Sequence, residues 1–441
     1  MSTTRGWMTA MATVVWLLGA SCSTQVDDDS DAQDDDTGDD DTGDDDTADD
    51  DTGDDDTGGV VVGPLIELPL LGDWDPKRPF NHSAEVTVAA HDGHVAAAYI
   101  NMHFDGADTF EVGGNDFHKR VGVAVSHDHG ASYTILDPGL GDQTTDPVIR
   151  AGADGTFYLT TWDTWSGNRA KIGASVDHGD SWQVLAEDIW VGDKQWIAVD
   201  DGGGAIYVAG MNGYWKYSMA GTMLGSHEGG EMMIGAYADA AAAHFIGGWC
   251  QFEVTRWDGS GAPVQEGDLL EGGCLDEGTP DQEINVTAAI GETASGQQWI
   301  VRALRDVGHG EVVVQVRAPP AIVVDDIRIS TPGAVAFFPA ADLDDSGRLH
   351  VIWYENTPAD GVLMYTRSHS ADFEDGFAPP IVVDDEACPV QDWYPYVDSA
   401  SGGRRLREYI DLAVDGNRAH LAWVHAPTAP SRVYTTYVEF P

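Results

Sequence analysis

Short apolar runs recur in pairs along the chain, and a turn separates the two runs of each pair. Three pairs read EVTVAAHDGHVAAAYIN from Glu85, DPVIRAGADGTFYLTTW from Asp146 and REYIDLAVDGNRAHLAWVH from Arg407. Asp-Gly turns between β-branched and aromatic residues are typical of β-hairpins. Helical periodicity is nearly absent, so the pattern predicts an all-β protein. The copies begin at Glu85, Asp146, Gln195, Glu231, Glu283, Phe337 and Arg407.

The spacing of these hairpins indicates how they assemble. Each hairpin is too small to bury its own apolar faces, and periods of roughly 20–50 residues are typical of solenoids, propellers and arrays. Radial repetition around a channel suits such units better than a sandwich does. We therefore expect residues 59–441 to form a β-propeller of four-stranded blades. Seven blades are expected, and six are the alternative.

Two segments that follow these hairpins carry a more specific motif, the Asp box. SHDHGASY begins at Ser126 and SVDHGDSW at Ser175; both fit S-x-D-x-G-x-x-W, with Tyr replacing Trp in the first. A degraded third copy, RSHSADF, surrounds Ser368. With its hairpins and Asp boxes, the chain resembles the sialidase superfamily and its bacterial neuraminidase repeats from about residue 85 to 438. The box residues are Ser126, Asp128, Gly130, Tyr133, Ser175, Asp177, Gly179 and Trp182.

The resemblance implies that these box residues are structural. Each box is expected on the hairpin between the outer two strands of a blade. There the aspartate would bind backbone amides of its own turn, the glycine would allow the tight backbone, and the aromatic residue would pack between strands.

The resemblance also implies a catalytic set, which this sequence does not reproduce. Sialidases hold the sugar carboxylate with three arginines, and use a Glu-activated Tyr as nucleophile and an Asp as acid/base. Their first arginine lies in an Arg-Ile-Pro signature, whereas the nearest match here is Arg78 followed by Pro79. Tyr409 follows Glu408, but adjacent residues on a strand point to opposite faces and cannot form the Tyr–Glu couple directly. No catalytic residue is therefore assigned.

Ligands of propellers usually lie at the channel mouth, which is formed by residues just before the innermost strand and just after the second strand of each blade. Here those positions combine carboxylates, aromatic rings and a few cations, as a neutral-sugar site would. The alternative is that they cap blade ends or line a water-filled channel. The ligand-binding candidates are Arg78, Glu85, Asp146, Trp162, Lys194, Glu231, Glu283, Tyr354, Glu355, Arg407 and Tyr409.

The N-terminus has the pattern of an export signal. Arg5 precedes an apolar run over residues 7–20, which is shorter than the roughly 20 residues that span a bilayer. Leu-Gly-Ala-Ser before Cys22 resembles the lipobox of bacterial lipoproteins, so residues 1–22 predict a signal peptide and lipidation of Cys22. An ordinary cleaved signal that leaves Cys22 free is the alternative. The predicted location is the outer membrane or cell surface.

Residues 23–58 form a tract of DDDTG repeats. With almost no apolar residues and charge of one sign, the tract predicts a disordered, extended tether. The whole chain has a formal net charge of −53. Such a charge repels nucleic acid and anionic lipid, so the expected partner is a glycan or an extracellular protein, with membrane contact only through the lipid anchor.

The remaining chemistry points to no cofactor and no metal. Cys250 and Cys274 lie close in sequence and could form a disulfide in an oxidising compartment. Cys388 would then have no cysteine to pair with. Histidines flank the turns at Asp92 and Asp128, where they are common for local reasons. We expect a monomer that binds its partner without catalysis. A sialidase-like glycoside hydrolase or lyase, acting on sialosides or neutral sugars, is the alternative.

The last expectation concerns closure of the ring. The final repeat ends one strand short of a four-stranded blade, and the apolar segment GVVVGPLIELPLL directly follows the tether. An unpaired outer edge invites aggregation, and propellers protect such edges by pairing the two chain ends. Residues 60–71 should therefore pair with the strand that contains residues 433–438.

Overall fold

The computed structural model of the chain describes residues 59–72, 82–104, 117–163, 167–200, 202, 204–248, 251–267, 270–271, 288–306, 309–319, 321–356, 361–388, 410–426 and 431–441. The predicted signal peptide and tether lie outside these residues. So do Cys22, Arg78, Cys250, Cys274, Glu283, Arg407 and Tyr409, together with the side chain of Cys388.

The described residues form strands and turns, which confirms the all-β prediction. The chain begins with β1 (Val61–Val62) and β2 (Ile66–Glu67). One sheet contains β3 (His82–His91), β4 (His94–Phe104), β5 (Phe117–Ser126) and β6 (Thr134–Leu136). The next contains β7 (Thr144–Ala151), β8 (Phe157–Asp163), β9 (Arg169–Ser175) and β10 (Gln183–Ile189). A third contains β11 (Trp196–Asp200), β12 (Ala205–Gly210), β13 (Gly213–Ser218) and β14 (Met223–Glu228).

Further sheets repeat this antiparallel order. One contains β15 (Met233–Ala238), β16 (Ala243–Gly247), β17 (Gln251–Trp257), β18 (Val264–Gln265) and β19 (Leu270–Glu271). Another begins with β20 (Ala288–Glu292), β21 (Gln298–Asp306), β22 (His309–Ala318) and β23 (Ala321–Arg328). The parallel pair Gly310↔Val335 joins it to β24 (Val335–Leu343), β25 (Leu349–Asn356), β26 (Gly361–Arg367) and β27 (Ile381–Cys388). The last contains β28 (Asp411–Asp415), β29 (Arg418–His425) and β30 (Arg432–Glu439).

The first strands of successive groups of strands contact one another. In chain order β3 contacts β7, β7 contacts β11, and the series continues through β15, β20, β24 and β28. Strand β28 also contacts β3, so the described first strands form a closed ring. Four-stranded antiparallel sheets arranged with their first strands innermost are consistent with the blades of a propeller.

The core lies between neighbouring sheets. Every residue of the β4 segment 95–100, VAAAYI, is fully buried. A strand that is covered on both faces has a continuous apolar sequence rather than an alternating one, because neither face contacts water. The alanines let neighbouring sheets approach closely. Large rings fill the space elsewhere, among them the fully buried Trp257, Trp353 and Trp423.

The two ends of the described chain pair as the sequence predicted. Val61 lies opposite Glu439 and Ile66 lies opposite Thr435, both in antiparallel register with β30. Leu68 is fully buried, and the Leu71 amide donates to Asn101 Oδ1 at 2.9 Å. The N-terminal segment therefore supplies the outer strand of the last sheet. Among the described residues, no helix has the length and apolar character needed to cross a bilayer.

Candidate functional site

Three predicted site residues occupy an unusual backbone conformation at the start of three consecutive innermost strands. The φ angles of Glu85, Asp146 and Lys194 are 50°, 48° and 49°, in the left-handed region. Strand pairing shifts register beside Glu85 and Asp146, as a β-bulge does when it inserts an extra residue and redirects a side chain. Such a conformation costs a non-glycine residue roughly 1–3 kcal/mol and is concentrated at functional sites. We call these three residues the rim cluster.

The side chains of the rim cluster lie close together and are almost withdrawn from solvent. Glu85, Asp146 and Lys194 are 2%, 6% and 5% exposed. Burial raises the pKa of Asp146 well above its usual range, and the neighbouring charge of Glu85 and a hydrogen bond with that carboxyl raise it further. The nearby Lys194 charge opposes the shift. Burial and the neighbouring carboxyl therefore both favour the protonated form of Asp146.

Polar neighbours support this pair. Thr145 donates its hydroxyl to Asp146 Oδ1 at 2.9 Å and lies 3.4 Å from Glu85 Oε2. Gln195 is fully buried and donates through Nε2 to the carbonyl of Asp146. Within the described part of the chain, Gln195 Oε1 has no hydrogen-bond partner. Half-buried Trp162 lies opposite Thr145 on β8, so one aromatic candidate is adjacent to the cluster.

The remaining described candidates lie in different environments. Glu231 is an exposed residue just before β15. Burial is the main cause that raises the pKa of Glu253, and the nearby charge of Glu231 raises it further. Tyr354 is fully buried, and its hydroxyl donates to the carbonyl of Val424 at 2.8 Å. Glu355 is 1% exposed and accepts from Trp353 Nε1 at 3.0 Å. Tyr354 thus links β25 to β29, and Glu355, which also accepts from the Thr331 amide at 3.0 Å, links β25 to the segment before β24.

A cavity of about 960 Å³ lies inside the ring of first strands. Arg150 and Asp411 form an ion pair there at 2.8 Å, and the Arg150 guanidinium lies 5.6 Å from the centre of the Trp196 ring. Burial raises the pKa of Asp342 to about 6, although two backbone amides donate to it. Burial also raises the pKa of Asp411.

The cavity carboxylates connect neighbouring sheets. Asp342 Oδ2 accepts from the Val414 amide at 2.9 Å, which links β24 to β28. Asp411 Oδ2 accepts from the Val88 amide at 3.1 Å, which links β28 to β3. The sequence did not single out these aspartates or Arg150, because a structural bond across the ring has no local pattern. Their bonds assign them to closing the ring.

The two Asp boxes lie between the third and fourth strands of their sheets, at the β5–β6 and β9–β10 turns. Asp177 accepts from the Ser181 amide at 2.9 Å and from the hydroxyls of Ser175 and Ser181 at 2.7 and 2.6 Å. The Ser181 hydroxyl bond is the main cause that lowers the pKa of Asp177 to about 2. Trp182 donates to the Gly179 carbonyl at 3.0 Å.

The aspartate of the first box makes the same bonds as Asp177. Asp128 accepts from the amide and the hydroxyl of Ser132 at 2.8 and 2.6 Å, and from the Ser126 hydroxyl at 2.7 Å. Gly130 has φ 79° and donates its amide to Ser126 Oγ at 2.9 Å. The Tyr133 hydroxyl lies 3.4 Å from Thr435 Oγ1. These contacts close the turn, and they leave the box carboxylates occupied by their own loop.

Histidines gather beside these turns. His94 Nδ1 lies 2.8 Å from His127 Nδ1, and the His94 ring stacks on His178 with centroids 3.9 Å apart. His127 Nε2 contacts Asp180 at 2.9 Å. Among the described residues, no group of three or more histidine, cysteine, aspartate or glutamate side chains is arranged to hold a metal ion.

Comparison with known proteins gives structural similarities alone. No protein-family model matches the chain, and no curated protein matches its sequence. The Hadza microbial sialidase Hz136 is 10% identical, with a TM-score of 0.42 over 80% of this chain and 65% of that one. A polysaccharide lyase, ulvan lyase, is 14% identical, with a TM-score of 0.39 over 84% of this chain and 83% of that one. A glycosyl hydrolase from Bacteroides ovatus is 11% identical, with a TM-score of 0.35 over 81% and 84%. At these identities and TM-scores the matches identify no family and no activity.

Proposed function

We propose that this protein is an exported seven-bladed propeller that binds a glycan through the rim cluster without catalysis. The blade number rests on the ring of first strands β3, β7, β11, β15, β20, β24 and β28 among the described residues. Export and lipid anchoring rest on the pattern of residues 1–58. The anchor and tether would hold the propeller away from the membrane surface.

The observation that carries the binding proposal is the rim cluster itself. Two carboxyls and a lysine at equivalent positions of three consecutive innermost strands provide donors and acceptors for sugar hydroxyls. Water competes little for such groups, because all three side chains are nearly buried.

The same geometry favours binding over glycoside hydrolysis by this pair. Glycosidase carboxyls are about 5–5.5 Å apart in retaining enzymes and about 6.5–9.5 Å apart in inverting ones, which leaves room for the sugar or the water. Glu85 and Asp146 instead share a hydrogen bond. One observation supports a hydrolase or lyase as the second candidate: burial raises the pKa of Asp146 and so favours its protonated form, which a general acid requires.

A glycan array with the purified full chain tests the proposal. Wild type should bind, and Glu85→Gln and Asp146→Asn should lose binding while the melting temperature stays within a few degrees. Asp180→Asn, at an exposed carboxylate within the second Asp box, is the matched control and should bind normally. Turnover of fluorogenic sialosides or neutral aryl glycosides that Asp146→Asn abolishes would establish the second candidate instead. Absence of both binding and turnover would refute the assignment of this site.

A further inference from the structure

An exposed apolar surface lies at the same end of the ring as the rim cluster, toward the outer strands. Trp190 directly follows β10 and is 51% exposed, and Met211 lies in the turn between β12 and β13 and is 41% exposed. Both lie at the end of the ring where β11 begins, because β10 and β12 end there. We call Trp190 and Met211 the shelf. Large apolar side chains exposed next to polar groups are characteristic of ligand-binding surfaces.

The shelf is held in place by the segment that leads to Lys194. The Asn212 amide donates to the Val191 carbonyl at 3.0 Å, and the Met211 amide donates to the Asp193 carbonyl at 3.2 Å. The Lys194 carbonyl accepts from the Met233 amide at 3.1 Å. The backbone of residues 191–194 is therefore bonded to the β12–β13 turn and to β15. These bonds hold the shelf in a fixed position relative to Lys194.

The Trp190 ring is itself oriented. The Asn212 side-chain amide is oriented so that its oxygen faces two donors. That oxygen accepts from Trp190 Nε1 at 3.1 Å and from the Gly192 amide at 3.2 Å. Gly192 has φ 84°, and a Cβ at this position would lie 2.7 Å from the Asn212 side chain, so a glycine keeps the contact possible. An exposed indole whose polar edge is already bonded offers its apolar face to a ligand.

Given the proposed function, we propose that the shelf is a stacking subsite for a neutral pyranose of the glycan. The C–H face of a pyranose is apolar, and covering it with an indole removes apolar surface from water on both partners. The sheet order β10-β9-β8-β7 places Trp190 three strands, about 14 Å, outward from Asp146. A neighbouring residue of the same glycan, and not the stacked pyranose itself, would therefore reach the rim cluster. A sialic acid or uronate is disfavoured, because a chain with a net charge of −53 repels anions.

Affinity measurements on the full chain test the shelf, with arrayed neutral oligosaccharides and their sialylated counterparts as probes. Wild type should prefer the neutral members. Trp190→Ala should weaken binding at least about tenfold, as expected for an aromatic anchor, and Trp190→Phe should keep most of the affinity. Leu224→Ala is the control, because Leu224 is 55% exposed on the outer strand β14, away from the shelf.

The outcomes separate the shelf from the rim cluster. Normal glycan binding by Trp190→Ala, together with loss of binding in Asp146→Asn, would overturn the shelf and leave the proposed function standing. A stronger response to sialylated glycans would overturn the choice of a neutral sugar. Absence of glycan binding by wild type would overturn both proposals. Equal melting temperatures of wild type and Trp190→Ala ensure that a loss of binding is not a loss of fold.

Discussion

Asp342 offers a test of how the ring is closed. Its carboxyl accepts from the Val414 amide across two sheets and from its neighbour Leu343, both at 2.9 Å. Despite these bonds and the nearby Arg150 charge, burial raises its pKa to about 6. The charged form is thus less stable in the folded protein than in water. Asp342→Asn keeps the shape of the side chain and removes the charge.

The magnitude follows from the difference between the folded and unfolded pKa. An ordinary aspartate titrates near 3.9, so a shift to about 6 corresponds to roughly 3 kcal/mol at ~1.4 kcal/mol per unit. Between those two values the folded state keeps a proton that the unfolded state has lost, so the free energy of unfolding falls as pH rises. The loss of unfolding free energy that the charged Asp342 causes is roughly 1.5 kcal/mol at pH 5 and reaches its full value of roughly 3 kcal/mol by pH 8. The asparagine side chain of the variant has a single acceptor oxygen, so it can keep only one of the two hydrogen bonds that Asp342 accepts. This loss costs about 1 kcal/mol of stability.

The difference in unfolding free energy between Asp342→Asn and wild type should therefore depend on pH. We expect the variant to be more stable by about 2 kcal/mol at pH 8 and nearly equal to wild type at pH 5. Urea unfolding over this range measures the difference and stays above the isoelectric point of about 4.1, where the protein would associate. A difference that does not change between pH 5 and 8 would refute the assignment.

A control with the opposite sign is available in the first Asp box. The Ser132 hydroxyl is the main cause that lowers the pKa of Asp128 to about 2, so its stabilising contribution is present above pH 4 and is lost as pH falls toward 2. Asp128→Asn should therefore be less stable than wild type at both pH 5 and pH 8, with little change between them.

Further predictions concern the rest of the chain. Asp177→Ala and Trp182→Ala should each lower stability by about 1–3 kcal/mol without selective loss of binding, because both hold the β9–β10 turn; intact melting temperature with abolished binding would contradict this. Deletion through Gly58 should leave the melting temperature nearly unchanged, whereas deletion through Leu71 removes the strands paired with β30 and should lower it sharply; equal stability of both truncations would refute end-to-end closure. Cys22→Ala should be released in soluble form, and its recovery in the membrane pellet would count against a lipid anchor.

Local features of the fold were predictable from the sequence, and distant contacts were not. The hairpin at Asp92-Gly93 and the box at Asp177 involve residues within a few positions of each other, so their pattern carries their structure. The rim positions of Glu85, Asp146 and Lys194 follow from where each hairpin begins. By contrast, Arg150 and Asp411 pair across 261 positions, and only the closed ring brings them together. The burial of Tyr354 likewise depends on Val424, which belongs to the next sheet.

The rim cluster also shows why a strained backbone need not mean a polar site. Phe338 occupies the same bulge position in β24, with φ 50°, yet it is 2% exposed and packs edge-on against Phe337. The bulge is thus a feature of the fold that accepts an apolar side chain. Polar groups at Glu85 and Asp146 are therefore not required by the backbone, and their burial lowers stability. Glu85→Gln with Asp146→Asn should raise the melting temperature while it abolishes binding, as expected where function is maintained against stability. A fall in melting temperature with binding retained would instead make the pair a structural element of the ring.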